Sequence, residues 1–309
     1  MSLRERLASG GFAVTAEISP PRGASTAKIT ETAGSLKDWV DAVNVTDNQG
    51  SHVRLASWAG SLAVLKAGLE PIMQMTCRDR NRIALQSDLL GASALGIRNI
   101  LVMTGDHPKF GDHPGAKPVF DLDSVQLLWT LRTMRDQHVL LSGRRLDPAP
   151  DCFLGAVENP FAPPVEFRAD RLGKKVAAGA QFVQTQFVFD VPAFARWMAQ
   201  VRDLGLPEQC AILAGVGAVR SVRALDYMRD HVPGVEVPDD VFHRLRAVPP
   251  AEQTAEGVKL AAEIVQQVAE IPGVAGVHLL VAGNEQAVPD ILDRAGARVS
   301  REPGGHDGR

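Results

Sequence analysis

Glu17, in the stretch FAVTAEISPPRG, has the most chemistry to offer, because it is an acid inside an otherwise apolar run that Pro20 and Pro21 must end. Burial disfavours the charged form of a carboxyl group. An acid in that setting can keep a proton near neutral pH and give it up as a general acid; the plainer alternative is a structural carboxylate paired with Arg22 or a lysine. Asp106 follows a second apolar run, residues 99–104, which stops at Gly105 before a loop punctuated by Pro108, Gly111, Pro114, Gly115 and Pro118. At that point an Asp either faces a site or organises the turn through its own backbone. Other polar residues close further apolar runs: Thr46 and Asp47, then Gln74, Thr76 and Cys77, then Asn159, then Thr185 and Gln186.

The elements that would position these residues alternate along nearly the whole chain. Short runs rich in Val, Ile, Leu and Phe at 12–18, 42–46, 71–77, 99–104, 152–157, 182–187, 211–216 and 274–281 read as strands, with helical patterns between them. Eight such units predict an α/β fold, a single (β/α)₈ TIM barrel over residues 1–299 with a disordered tail at 300–309. Barrel sites lie at the carboxyl ends of the strands, where the polar residues above are found. Ser25 and Asp79 are candidate helix N-caps, and Leu260, Ile264, Val265 and Val268 share one helical face. Residues 144–151 read as an exposed connection and 233–250 as an irregular insertion.

Composition narrows the function classes. A net charge of -3, from 33 basic and 36 acidic residues, gives no electrostatic case for nucleic acid or an anionic membrane. With neither a long apolar span nor the apolar core of a signal peptide in MSLRERLASG, a cytoplasmic protein is expected. Cys77, Cys152 and Cys210 are odd in number and lack CxxC spacing, which argues against a disulfide framework or a zinc site. Asp106, His107, Asp112 and His113 could be imagined as metal ligands, but a barrel hydrolase draws ligands from several strands. Only His278 offers a second histidine near a strand end, so no metal is expected.

Together FAVTAEISPPRG, NVTDNQG, LGIRNILVMTGDHPKFGDHPGAKPVFDLDS and KKVAAGAQFVQTQFVFD resemble the 5,10-methylenetetrahydrofolate reductase family, particularly its compact bacterial branch. The similarity runs from about Phe12 to Ala295, in order and at compatible spacing. It implies a barrel flavoprotein of one-carbon metabolism and methionine biosynthesis. Such an oxidoreductase binds FAD, takes hydride from NADH or NADPH, and interconverts 5,10-methylenetetrahydrofolate and 5-methyltetrahydrofolate. By the same resemblance Glu17 is the acid that protonates the pterin N5, and Asp106 hydrogen-bonds the pterin and influences the flavin. Gln186 reads the pterin ring. Thr46, Gln74, the turn Thr104–Gly105–Asp106, Ala156 and Lys175 fall at flavin positions, with Lys175 placed to meet a phosphate. Without the neighbouring AGAQFVQTQ, Lys174 and Lys175 would read as a solvated helix face. With only 5% aromatic residues, flat partners are few, and Phe120 for the flavin and Phe187 for the substrate are the best candidates.

Several positions depart from the family pattern. Gln74 stands where some members have a histidine, and Asp47 where an aromatic residue is common. The acidic and Asn residues expected around 168–175 are reduced to Glu166 and Asp170 nearby, and Asn284, Glu285 and Gln286 replace an arginine that meets folate. These changes weaken the flavin seat and the folate-tail contact while keeping the pterin set. They leave open a partner-dependent or non-redox folate-binding protein, or a pterin-binding methyltransferase barrel, and a homo-oligomer or partner subunit. No GxGxxG fingerprint is present to show how nicotinamide is held.

Overall fold

The computed structural model describes residues 1–232, 234–281 and 283–297. The expected tail at 300–309 lies outside the described residues. Eight parallel strands close on themselves in sequence order: β1 Ala13–Ile18, β2 Ala42–Val45, β3 Glu70–Thr76, β4 Asn99–Met103, β5 Phe153–Glu158, β6 Phe182–Phe187, β7 Ala211–Val216 and β8 Val274–Leu279. Each matches its expected apolar run to within two residues, because strands buried on both faces leave little ambiguity about where the apolar stretch ends.

Alternation sorts the strand side chains into two sets. Val14, Ala16, Val43, Val45, Met73 and Met75 face outward into the large core shared with the helices. Ala13, Ala42, Ile72, Leu101, Phe153, Phe182 and Leu213 fill the amino-terminal half of the interior. There Phe153 and Phe182 stack at 5.1 Å. Gly155 lets them do so: a Cβ on it would come within 2.2 Å of the Phe182 ring. The helix Leu3–Ala8 closes this end of the barrel, with Leu3 fully buried among the inner side chains. Its first amide donates to Glu70 Oε2 at 2.6 Å, and Asn99 Nδ2 donates to Glu70 Oε1 at 2.8 Å. Burial pushes the Glu70 carboxyl above its ordinary range against the pull of those two bonds.

Three local expectations are corrected. Asp79 does not cap a helix, because its carboxylate is held by Arg78 at 2.7 Å. Asn81, directly before the helix Arg82–Ala94, accepts from the amides of Ile83 and Ala84 instead. Ser25 accepts from Ala27 N at 3.3 Å, but the N-cap of Ala27–Leu36 is Thr26. The stretch at 233–250 contains a regular helix, Asp239–Arg246, because Val241, Phe242 and Leu245 form one buried face. The connection at 144–151 is mostly exposed, as expected. Leu260, Ile264, Val265 and Val268 are the buried face of Gln253–Ala269.

Candidate functional site

The open, carboxyl-terminal end of the barrel holds a cavity of about 450 Å³. Glu17 from β1, Gln74 from β3, Gln186 from β6, and Thr104, Gly105 and Asp106 after β4 all line it, with Lys175 at one side. Leu101, Met103, Val157 and Leu280 add apolar wall. Glu17 and Asp106 thus share one mouth. Glu17 is only 5% exposed, whereas the Asp106 carboxylate is exposed and has no hydrogen-bond partner among the described residues.

The Asp106 loop is fixed through its backbone. Ser51 Oγ, on the loop after β2, donates to the carbonyl oxygens of Asp106 at 2.9 Å and His107 at 3.3 Å. Arg78, just past β3, donates to Ser51 Oγ at 3.0 Å and to the Asp106 carbonyl at 3.4 Å. The two loops meet so closely at Gly111 that a Cβ there would overlap the Ser51 carbonyl oxygen, at 1.9 Å. Asp47 is likewise structural. It accepts from Thr76 N and Oγ1, each at 2.9 Å, and pairs with Arg80. The Thr76 hydroxyl is therefore committed to Asp47.

Below Glu17 lies a polar floor that the sequence reading missed. Asn44, Gln184 and His278 line the bottom of the cavity, and Glu17 is the register partner of Asn44 as Thr15 is of His278. Asn44 Nδ2 donates to Gln184 Oε1 at 2.6 Å, and Gln184 Nε2 donates to Asn44 Oδ1 and to Thr15 Oγ1, each at 3.1 Å. His278 Nδ1 lies 3.0 Å from Thr15 Oγ1, and its Nε2 lies 3.5 Å from Asn44 Nδ2. One proton arrangement satisfies the whole ring. His278 carries its proton on Nδ1 and donates to Thr15, Thr15 donates to the Val277 carbonyl at 3.4 Å, and Nε2 faces the second Asn44 N–H. A second proton on the imidazole would set N–H against N–H. Burial works in the same direction and lowers the His278 pKa to about 3. His278 is therefore a neutral part of the floor, with both ring nitrogens turned to floor partners. Alternation of inward-facing positions on β2, β6 and β8 could have revealed this layer.

Four expected residues do not line the mouth. Ala156 faces outward by alternation on β5 and packs in the helix-side core. Phe120 packs against that same core, and Phe187 stacks on Phe189 at 5.7 Å. Thr46 is buried, its hydroxyl without a hydrogen-bond partner. Lys175 borders the mouth, but its ammonium is bound to Glu158 Oε2 at 2.8 Å and to the Val157 carbonyl at 2.5 Å. Arg171 holds the other Glu158 oxygen at 2.8 Å. Glu158, on the outward face of β5, sits beneath the helix Arg168–Ala178 and draws both cations onto itself.

The three cysteines are free and buried, and burial pushes Cys77 and Cys210 up to about 12 and Cys152 to about 11, which makes them poor nucleophiles. In the loop after β4, Asp112 accepts from Val53 N and His107 from Lys109 N. Among the described residues no group of three His, Cys, Asp or Glu side chains is placed to hold a metal ion, and no helix is long and apolar enough to cross a membrane.

The chain is 26% identical over 268 residues to methylenetetrahydrofolate reductase 2 of Saccharomyces cerevisiae, covering 84% of this chain and 42% of that protein. It is 26% identical over 223 residues to the 5,10-methylenetetrahydrofolate reductase of Pectobacterium carotovorum, covering 70% and 67%. The chain thus spans about two fifths of the yeast relative. Among solved structures it is similar, at a TM-score of 0.66 and 15% identity over 94% of this chain and 97% of the other, to a Clostridium thermocellum protein described as binding two copies of 5-methyl-5,6,7,8-tetrahydrofolic acid. At that identity the likeness shows the fold alone. The family model for methylenetetrahydrofolate reductase matches residues 2–296, essentially the entire barrel with its mouth and floor, and the chain belongs to that family.

Proposed function

We propose that this chain reduces 5,10-methylenetetrahydrofolate to 5-methyltetrahydrofolate with NADH or NADPH as hydride source. The observation that carries the reading is the convergence of Glu17, Asp106 and Gln186 on one cavity from three separate strand ends. Asp106 presents a carboxylate with no hydrogen-bond partner among the described residues, an acceptor that suits the adjacent N–H donors of an aminopyrimidine edge. Gln186, whose Oε1 already accepts from Phe187 N at 3.1 Å, offers its Nε2 donor to the same ring. Glu17, buried at the base of the mouth, is the general acid.

Atom balance decides where its proton goes. The substrate carbon bridges N5 and N10, and the product keeps its methyl group on N5, so the bond to N10 breaks. Hydride goes to carbon and the proton to N10; the N5 protonation that the resemblance implied would break the wrong bond. Both ring nitrogens of His278 are turned to floor partners, which supports Glu17 over the histidine as the source.

FAD, which the family generally uses, fits this mouth in part. Gln74 and the Thr104–Gly105–Asp106 turn border a cavity with an apolar wall suited to a flat ring. At the phosphate side one carboxylate, Glu158, faces two cations, Lys175 and Arg171, which leaves one positive charge for an anion. The bound flavin would supply a hydride relay between nicotinamide and folate, and its affinity is expected to be lower than the family norm. That internal pairing also favours a second reading, a folate-binding protein without redox activity, in keeping with what the Clostridium thermocellum protein is described as binding.

The experiment is Glu17→Gln. The variant keeps shape and hydrogen-bonding reach but has no carboxyl proton, and general acid catalysis is worth about 10²- to 10⁴-fold. Turnover of methylenetetrahydrofolate with NAD(P)H and added FAD should fall by that factor, while affinity for 5-methyltetrahydrofolate falls less than about tenfold, roughly 1.4 kcal/mol. Equal losses in both would make Glu17 structural. A wild type that binds folate yet oxidises no NAD(P)H would establish the second reading.

A further inference from the structure

We propose that Gln49 is a further specificity residue of the folate site, donating its side-chain N–H to the pterin oxygen O4. This rests on the folate reading above and adds a contact from the loop after β2. Gln49 lines the mouth and also the two cavities beside it, of about 770 Å³ and about 410 Å³. Its carboxamide is oriented. Ser19 Oγ, two positions after Glu17 in the chain, donates to Gln49 Oε1 at 3.0 Å. That leaves Nε2, a donor without a hydrogen-bond partner among the described residues, for a ligand.

The turn that presents Gln49 is strained. Asn48, Gly50 and Ser51 all have left-handed backbone, at φ of 50°, 63° and 61°, and for a non-glycine residue that conformation persists where its surroundings enforce it. Arg78, only 2% exposed, supplies the enforcement by donating to the Asn48 carbonyl at 3.2 Å and to Ser51 Oγ at 3.0 Å. Because Ser51 Oγ donates in turn to the Asp106 carbonyl, the clasp that shapes this turn also fixes it to the Asp106 loop. Gln49 is thereby anchored on one side to the end of β1, which carries Glu17, and on the other to Asp106. The pterin has one polar atom in the matching place. With Asp106 on the N3–H and 2-amino donors and Glu17 toward N10, the ring edge between them runs from N3 past C4 to N5 and carries O4, an acceptor. The Nε2 donor of Gln49 meets that acceptor between its own two anchors. Gln186, on β6, is bonded to neither anchor and is left the opposite flank, where N1 is the acceptor.

The test compares two ligands by calorimetry: 5-methyltetrahydrofolate, and its 4-amino analogue, in which an N–H donor group replaces O4. Wild type should prefer the 4-oxo ligand. Gln49→Met keeps the length of the side chain without its N–H, at an exposed position. A hydrogen bond of this kind is worth about two- to tenfold in affinity, so the preference should fall by that factor, with affinity for the 4-amino ligand unchanged or higher. The 4-amino ring also lacks the N3–H that Asp106 takes, but equally in wild type and variant, so the difference between the two proteins reports position 49. Gln49→Glu, which puts an acceptor in the donor's place, should lower the preference further. The proposal is overturned if Gln49→Met weakens both ligands equally or changes neither, or if Gln49→Glu raises the preference. A wild type that binds neither ligand would remove the folate reading as well, whereas one that binds 5-methyltetrahydrofolate no better than Gln49→Met does would remove this contact alone.

Discussion

At the residue scale, the most consequential side chain beside Glu17, Asp106 and Gln186 is Glu158. A buried carboxylate with two cations gains from both, and its desolvation is offset only while they stay. Lys175 therefore reaches toward β5, where a phosphate would have to compete for it. Replacing Glu158 with Gln keeps an acceptor for one cation and releases the other. A hydrogen bond to a charged group is worth about 1.5–3 kcal/mol, so the Glu158→Gln variant should bind FAD about tenfold more tightly or better. It should also melt at a lower temperature than the wild type. Flavin fluorescence titration reads the first effect; unchanged weak binding would show that Lys175 does not limit the seat. In the sequence, the resemblance alone placed Lys175 to meet a phosphate, and the residues by themselves read as a solvated helix face. The capture of Lys175 was not legible there, because that depends on which face of β5 Glu158 occupies.

At the element scale, the helix Leu3–Ala8 acts as the plug of the barrel. Leu3 is fully buried against inward-facing side chains, and its amide is bound by Glu70. Leu3→Ala should cost about 2–5 kcal/mol, the range for emptying a packed leucine site, measured as a shift in the urea midpoint. A loss below about 1 kcal/mol would mean that the helix merely rests on the barrel. The sequence reading weighed this stretch only as a leader, because six residues carry too little periodicity to declare a helix. The eight strands were legible because each is an uninterrupted apolar run between breakers. Asp239–Arg246 was not, since flanking prolines and charges masked a three-residue apolar face. The lining of the cavity was legible where residues sit at strand ends, as Glu17, Asp106 and Gln186 do. Phe120, Phe187 and Ala156 lie outside the cavity lining, because an aromatic or apolar residue near a strand end serves the helix-side core as readily as a ligand.

At the scale of the whole molecule, one buried histidine links stability to pH. The folded-state pKa of His278 is about 3 against an ordinary 6.5, so between those values the unfolded chain binds the proton and the native chain does not. The contribution of His278 is fully present above about 6.5 and is lost as pH falls, by at most about 1.4 kcal/mol per unit. The melting temperature should drop more steeply from pH 6 to pH 4 in the wild type than in His278→Gln; identical slopes would show that the imidazole protonates in place.

The ring formed by Thr15, Asn44, Gln184 and His278 also has a consequence for isotope exchange. Its imidazole proton sits at the bottom of a cavity closed below by apolar side chains and the plugging helix, so solvent can reach it only through the mouth. Any molecule seated over the floor is then also a stopper. The lifetime of that single nitrogen-bound proton in heavy water becomes a clock that runs while the cavity is open and stalls while it is filled, and it reports residence without any turnover.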